Sequence, residues 1–145
     1  SPDMAKNIIY KPGQHIPTPV ASGTKTGDPV HVGSLNGVAV TDRAKTDVAP
    51  LNADGSVNTA YNAGGGNANG NASVWFAGGG PAIVHNVTTA AAPTFGAPIY
   101  FDPAGVATKL TTTAGALAVF GHAVDLAPVN NGDGTFKVLV MISAA

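Results

Sequence analysis

A short phrase occurs twice in this chain. Gly27-Asp28-Pro29-Val30-His31-Val32 leads, after a brief interval, to Gly37-Val38-Ala39-Val40-Thr41-Asp42. Gly96-Ala97-Pro98-Ile99-Tyr100-Phe101 leads, at longer range, to Gly121-His122-Ala123-Val124-Asp125. Each copy opens on Gly-x-Pro, runs through β-branched or aromatic residues and returns through Gly-x-Ala-Val. Glycine and proline punctuate a backbone, whereas Val, Ile, Tyr and Phe suit a pleated, half-buried surface. The pattern predicts two related β-hairpin units, and neither carries a reactive group. It points to a structural module before it points to an enzyme.

The residue types that are missing sharpen this reading. All eight acidic residues are aspartates and Arg43 is the sole arginine, while the chain holds 19 Gly and 11 Pro. Strong helix formers are scarce and turn formers abundant, so the expected fold is all-β. At 145 residues the chain suits one domain with a modest core. Charged residues make up 10% of it, against about 25% in an ordinary globular protein. A surface so poor in charge is expected to be covered by copies of the chain or by a larger partner. With a formal net charge of -1 there is no electrostatic footprint for nucleic acid. Absent cysteine excludes disulfides and thiolate metal sites. No apolar run approaches the roughly 20 residues of a membrane-spanning helix, and no signal peptide is visible. Residues 1–3 read as a cloning remnant ahead of a native start at Met4.

Along the chain, residues 4–20 form an expected extended N-terminal arm, because Pro12, Pro17 and Pro19 remove ladder donors. Its apolar side chains, Ile8, Ile9, Tyr10 and Ile16, want a partner surface. Residues 21–145 form a single β domain. Its first hairpin joins 30–33 to 38–41 through a turn at Ser34-Leu35-Asn36-Gly37, where Asn-Gly supplies positive φ. Residues 50–71, rich in Asn and Gly, read as a flexible insertion loop with too little apolar surface to offset its ordering entropy. Residues 73–77 and 82–87 read as a second hairpin around Gly78-Gly79-Gly80-Pro81. Residues 99–101 are expected to pair with 109–112, and 113–119 to form one helical turn. The strands 119–127 and 135–143 meet at a turn over 130–134. In the last strand Phe136, Val138, Val140 and Ile142 make one wholly apolar face, as in a central or subunit-covered strand.

Candidate chemistry is thin. His15, His31, His85 and His122 lie in four segments without metal-site spacing. His31 and His122 occupy the two repeated units, where a shared ligand pair is conceivable, but hydrogen-bonded or subunit-facing histidines are the preferred reading. Asp28, Asp42, Asp102 and Asp125 flank turns, where carboxylates bond nearby amides. The triple-glycine runs lack the Gly-Lys-Ser/Thr of a phosphate loop, and no Gly-x-Ser-x-Gly elbow exists. Trp75 and Phe76 are candidate protein-interface contacts, with burial in the core as the alternative. No catalytic residue, metal site or cofactor is expected.

The run Met4-Ala5-Lys6-Asn7, the phrases around Gly27 and Gly37, the strand 72–77 and the tail from Gly96 through Val140 together resemble a family of small tailed-phage and prophage proteins, the capsid decoration (cement) proteins. Their role is similar to that of the head-stabilising protein of lambda-like phages. The resemblance implies a small antiparallel β-barrel or tulip-like β domain. It implies a homotrimer at three-fold sites on the outer surface of the capsid, made in the host cytoplasm and bound to the major capsid protein. The arm with Ile8, Ile9, Tyr10 and Ile16 is then the expected capsid-gripping element. Two other readings stand beside this one: a tail, fibre or adhesin β domain, and a small β-barrel enzyme or ligand binder using His31 and His122.

Overall fold

The two repeated phrases adopt the same backbone. Gly27 and Gly96 both take positive φ, +86° and +87°, a conformation that costs glycine nothing. The Gly27 amide donates to the Ala39 carbonyl (2.7 Å), and the Ala39 amide to that of Asp28 (2.9 Å). In the second copy the Gly96 amide donates to Ala123 (2.6 Å) and the Ala123 amide to Ala97 (2.8 Å). Each Gly-x-Pro thus ends a turn and starts a strand in one fixed register against its returning Gly-x-Ala-Val.

These features come from a computed structural model that describes residues 15–77, 82–102, 109–114 and 118–143. The chain is all-β. Its described strands are β1 (Ile16–Pro19), β2 (Pro29–Val32), β3 (Leu35–Ala39), β4 (Asn71–Phe76), β5 (Ile83–Thr88), β6 (Pro98–Phe101), β7 (Leu110–Thr111), β8 (Val119–Ala123), β9 (Val129–Asn130) and β10 (Thr135–Ile142). The first four form an antiparallel sheet in the order β1-β4-β3-β2. In the other sheet β5-β7-β6-β8-β10 closes on itself through β5 and β10 into a five-stranded barrel, with β9 added along β10. A single 3-10 turn, Gly64–Gly66, lies between β3 and β4.

The repeat extends well beyond a hairpin. The barrel without β7 has the order β5-β10-β8-β6, which is the order β1-β4-β3-β2 of the open sheet. Matching registers pair Val30 with Gly37 and Ile99 with Gly121, then Ala39 with Val74 and Ala123 with Val140. Val20, Val30, Val32, Ala39, Val74 and Phe76 make up the small core of the open sheet. Their counterparts Val87, Ile99, Phe101, Ala123, Val140 and Ile142 all belong to the barrel core. Gly37 and Gly121 share one constraint. A Cβ on Gly37 would meet the Trp75 carbonyl and Val74, and one on Gly121 would meet the Met141 carbonyl and Val140. The described residues make two copies of one four-stranded unit, the second closed by β7 and the first, among these residues, open between β1 and β2.

Asn36 joins the halves. It is buried, and its Nδ2 donates to the carbonyls of Val119 (2.7 Å) and Ser143 (3.0 Å), with a longer contact to Phe120 (3.3 Å). Next to it, β6 and β8 slip register at a bulge between Ile99 and Tyr100. Val38, on the same strand as Asn36, contributes to the barrel core. Around it the largest buried side chains are Phe120, Ile99 and Leu110, and β10 supplies the alternating face expected of it: Phe136, Val138, Val140 and Ile142 are buried while Lys137 and Met141 are exposed.

Several expectations need correction. The first turn is Gly33-Ser34, because β2 and β3 pair Val32 with Leu35. Gly33 supplies the positive φ (+61°) that a two-residue hairpin with glycine first requires. Asn36-Gly37 lies inside β3 instead. Residues 73–77 and 82–87 form no hairpin: β4 pairs with β1 and β3, whereas β5 pairs with β10 and β7. The arm boundary also moves. Ile16 to Pro19 form an edge strand on β4, and Val20 packs into the small core, so Ile16 is part of the sheet rather than of a free arm. Ile8, Ile9 and Tyr10 lie outside the described residues, as do residues 103–108 of the β6–β7 connection and 115–117 of the expected helical turn.

The insertion 50–71 is tied down by its own asparagines. Asn67 Nδ2 donates to Gly64 O, Ser73 Oγ and Thr41 Oγ1 (2.8, 3.1 and 3.3 Å). Asn62 donates to Asp42 and accepts from the Gly64 amide (both 2.9 Å), and Asn69 accepts from the Thr46 amide (2.9 Å). A loop poor in apolar residues is anchored here by polar side chains.

Candidate functional site

Backbone bonding decides which strand edges are free. The Val20 amide donates to Gly70 on the β4 side (3.2 Å). Backbone groups alternate sides along a strand, so Ile16 and Thr18 face β4 while Pro17 and Pro19 face outward. Both outward positions lack an N–H, and this edge offers carbonyls alone. On β3, Asn36 accepts from the Ala77 amide on the β4 side, and Ala39 bonds toward β2. Gly37 therefore faces β2, its partner Val30 faces β3, and His31 turns its N–H and C=O outward.

Between these two edges lies a groove of about 580 Å³. Val20, Ala21, Val30, His31, Val32 and Phe101 line it. At its rim Lys109 Nζ pairs with Asp28 Oδ2 (2.8 Å), and Asp28 also accepts from the Lys25 amide (2.8 Å). The barrel explains the groove. There β7 occupies the equivalent position, with Thr111 against Thr88 on one side and Tyr100 on the other, and Leu110 against Phe101. By the repeat, Thr88 corresponds to Ala21, Tyr100 to His31 and Phe101 to Val32. Among the described residues the groove is an unfilled strand position whose chemistry is backbone pairing on the β2 side and an apolar floor.

A second, smaller hollow of about 250 Å³ gathers Lys25, Arg43 and Lys45 with Ser22, Thr59 and Asn62. Its positive charge is largely answered from within. Lys25 lies 3.9 Å from Asp42, Lys45 lies 2.7 Å from Asp47, and Arg43 Nε donates to Val20 O (3.1 Å). Asp42 is held below the usual carboxylate range, first by the Thr26 amide and then by Asn62.

Two of the four histidines, His31 and His122, are hydrogen-bonded. Three carbonyls surround Asn36 Nδ2, which turns Oδ1 toward His31 Nδ1 (2.7 Å) and places the hydrogen on that ring nitrogen. His122 Nδ1 meets Ser143 Oγ (2.7 Å). His31 and His122 thus converge on Asn36 and Ser143, and each has Nδ1 engaged. Among the described residues no three His, Asp, Glu or Cys side chains gather as a metal set. His85 stands inside the barrel, edge-on to Phe120 with ring centroids 5.3 Å apart. Its Nε2 is buried without a partner among the described residues, and desolvation lowers its pKa to about 4 despite the opposing charge of Asp28.

The turn aspartates accept backbone amides, but distant ones as well as the nearby ones expected. Asp42 accepts from the Thr26 amide (2.9 Å), and Asp125 from the amides of Ala127 (3.0 Å) and Leu139 (2.8 Å). Asp54 and Asp133, in glycine turns, accept from the amides of Ser56 and Thr135. Trp75 is half-buried opposite Val38, its ring edge toward His15 (6.3 Å), and Phe76 packs on the small core. Sequence reasoning missed the groove residues Ala21 and Val32 and singled out His31 only as a candidate ligand. The signal was present in two places: the alternate prolines 17 and 19, and a strand that follows the second repeated phrase but not the first. Comparisons of the chain with protein-family models, curated proteins and solved structures give no match.

Proposed function

We propose that this protein is a non-enzymatic capsid decoration protein that binds the outside of a phage head, assembles as a trimer at three-fold sites and stabilises the shell. The observation that carries the reading is a surface poor in charge that exposes large apolar side chains. Leu126 is 92% exposed, Val57 72% and Phe95 62%, on a chain with 10% charged residues. Such side chains suit burial against neighbours in a dense shell. The sequence resemblance to cement proteins supports the same reading, because the motifs behind it (the positive-φ Gly27 and Gly96, and the crowded Gly37 and Gly121) serve architecture. Stabilisation then comes from symmetry, with many copies each adding a modest contact.

The test is co-sedimentation with expanded shells of the parent phage, together with light scattering of the free protein. Saturable binding and a trimer, in solution or on the shell, are expected. A stable dimer over a wide concentration range, or binding to tails or host cells in place of shells, overturns the proposal.

A further inference from the structure

The barrel shows what belongs in the open groove. In the second half β7 lies between β5 and β6, with its Leu110 in the barrel core. In the first half the same position is framed by the outward N–H and C=O of His31 and by Ala21 beyond the donor-less edge of β1. We propose that this position is filled by the N-terminal segment around Ile8-Ile9-Tyr10 of a second copy of the chain, which adds a strand to β2 and sets an apolar side chain on Val20, Val30 and Val32.

The length of chain ahead of β1 argues for a second copy over the same one. To lie in the groove as β7 does, antiparallel to β2, a segment must run parallel to β1. Five residues, 11–15, separate Tyr10 from Ile16, and a parallel crossover takes about a dozen residues or more. A reversed, hairpin-like placement fails on register. A two-residue turn at Pro12-Gly13 would need Ile16 and Thr18 to bond toward the arm, but both bond toward β4. Shifting by one residue sets Pro17 and Pro19 against the arm, and neither can donate. From His15 the linker 11–14 can instead reach outward by about 14 Å, at about 3.5 Å per extended residue. Of the segments outside the described residues, only 1–14 holds three consecutive β-branched or aromatic residues.

The proposal rests on the copy-to-copy association of the decoration reading but not on shell binding, and its test needs no shell. The chain has no cysteine, so Ile9→Cys and Ala21→Cys can be made singly in the full chain. They are mixed and treated with a short bismaleimide. A cross-link between one Ile9→Cys chain and one Ala21→Cys chain is expected, increasing with concentration and lost when Ile8→Asp is added to the first chain. An unchanged thermal melt of this variant shows that the effect reads the contact rather than folding. Absence of the mixed product at concentrations where light scattering reports an oligomer overturns the proposal. So does linkage confined within single chains of the double variant at high dilution, or linkage of Ile9→Cys to coat protein alone. A failure to bind shells leaves the cross-link unchanged, which separates the two readings.

Discussion

Asn36 and His85 are buried polar side chains handled in opposite ways. The Asn36 amide satisfies carbonyls at the ends of β8 and β10 and fixes His31. His85 keeps Nε2 unpaired among the described residues, and staying neutral avoids the larger cost of a buried charge. Its folded pKa, about 4, lies below its unfolded value near 6.5. Below pH 6.5 the unfolded chain therefore binds a proton that the folded chain refuses. Stability from this group is complete above pH 6.5 and falls as pH drops toward 4, by up to about 3 kcal/mol. Urea titrations at pH 7 and pH 4.5 should show that loss, and His85→Leu should flatten it while leaving stability at pH 7 equal or higher. A wild-type stability that is level across this range contradicts the assignment. At this scale the sequence is partly legible. The turn role of the aspartates is legible where the bond is local, as from Ala127 to Asp125, but not for Asp42, which bonds Thr26 16 residues back. Asn36-Gly37 misread because Asn36 bonds to Val119 and Ser143 and Gly37 is crowded by β4, contacts that no local window contains.

At the scale of elements the same limit appears in two places. β10 was legible from its alternation, since one face is buried in the barrel. The paired segments 99–101 and 109–112 were legible too, because both lie in one sheet. Segments 73–77 and 82–87 look like a hairpin through proximity alone, yet each finds its partners at long range. The insertion 50–71 looks unanchored to a hydrophobicity argument, which does not count asparagine side chains as ties. Gly64 is its keystone: buried, at φ +57°, with a Cβ that would run into the Ala44 backbone. Gly64→Ala should destabilise the protein by about 1–3 kcal/mol through overpacking and strain. Gly66→Ala, at a positive φ but with open space around it, should cost about 1 kcal/mol. Thermal unfolding of the two variants compares them directly, and equal midpoints count against the anchored loop.

At the scale of the whole molecule the duplication sets up two halves of unequal security. The barrel has no open edge between β5 and β6, because β7 pairs with both. The open sheet ends in β1, blunted by Pro17 and Pro19, and in β2, whose His31 N–H faces the groove. Free edges invite pairing with another chain, and blunting one of them directs that pairing to the other. Backbone groups along β2 should accordingly open at low free energy in the isolated chain, whereas Phe120, Val138 and Val140, fully buried in the barrel, should exchange only on global unfolding. If arms of neighbouring copies occupy the groove, the His31 amide gains an acceptor when chains meet. Its exchange should slow by tenfold or more as protein concentration rises through the association range, while the Val140 amide stays unchanged. In the Ile8→Asp variant both amides should be insensitive to concentration. A His31 amide already as slow as Val140 in dilute wild-type protein means that the groove is closed within one chain, and the edge of β2 is then not where copies meet.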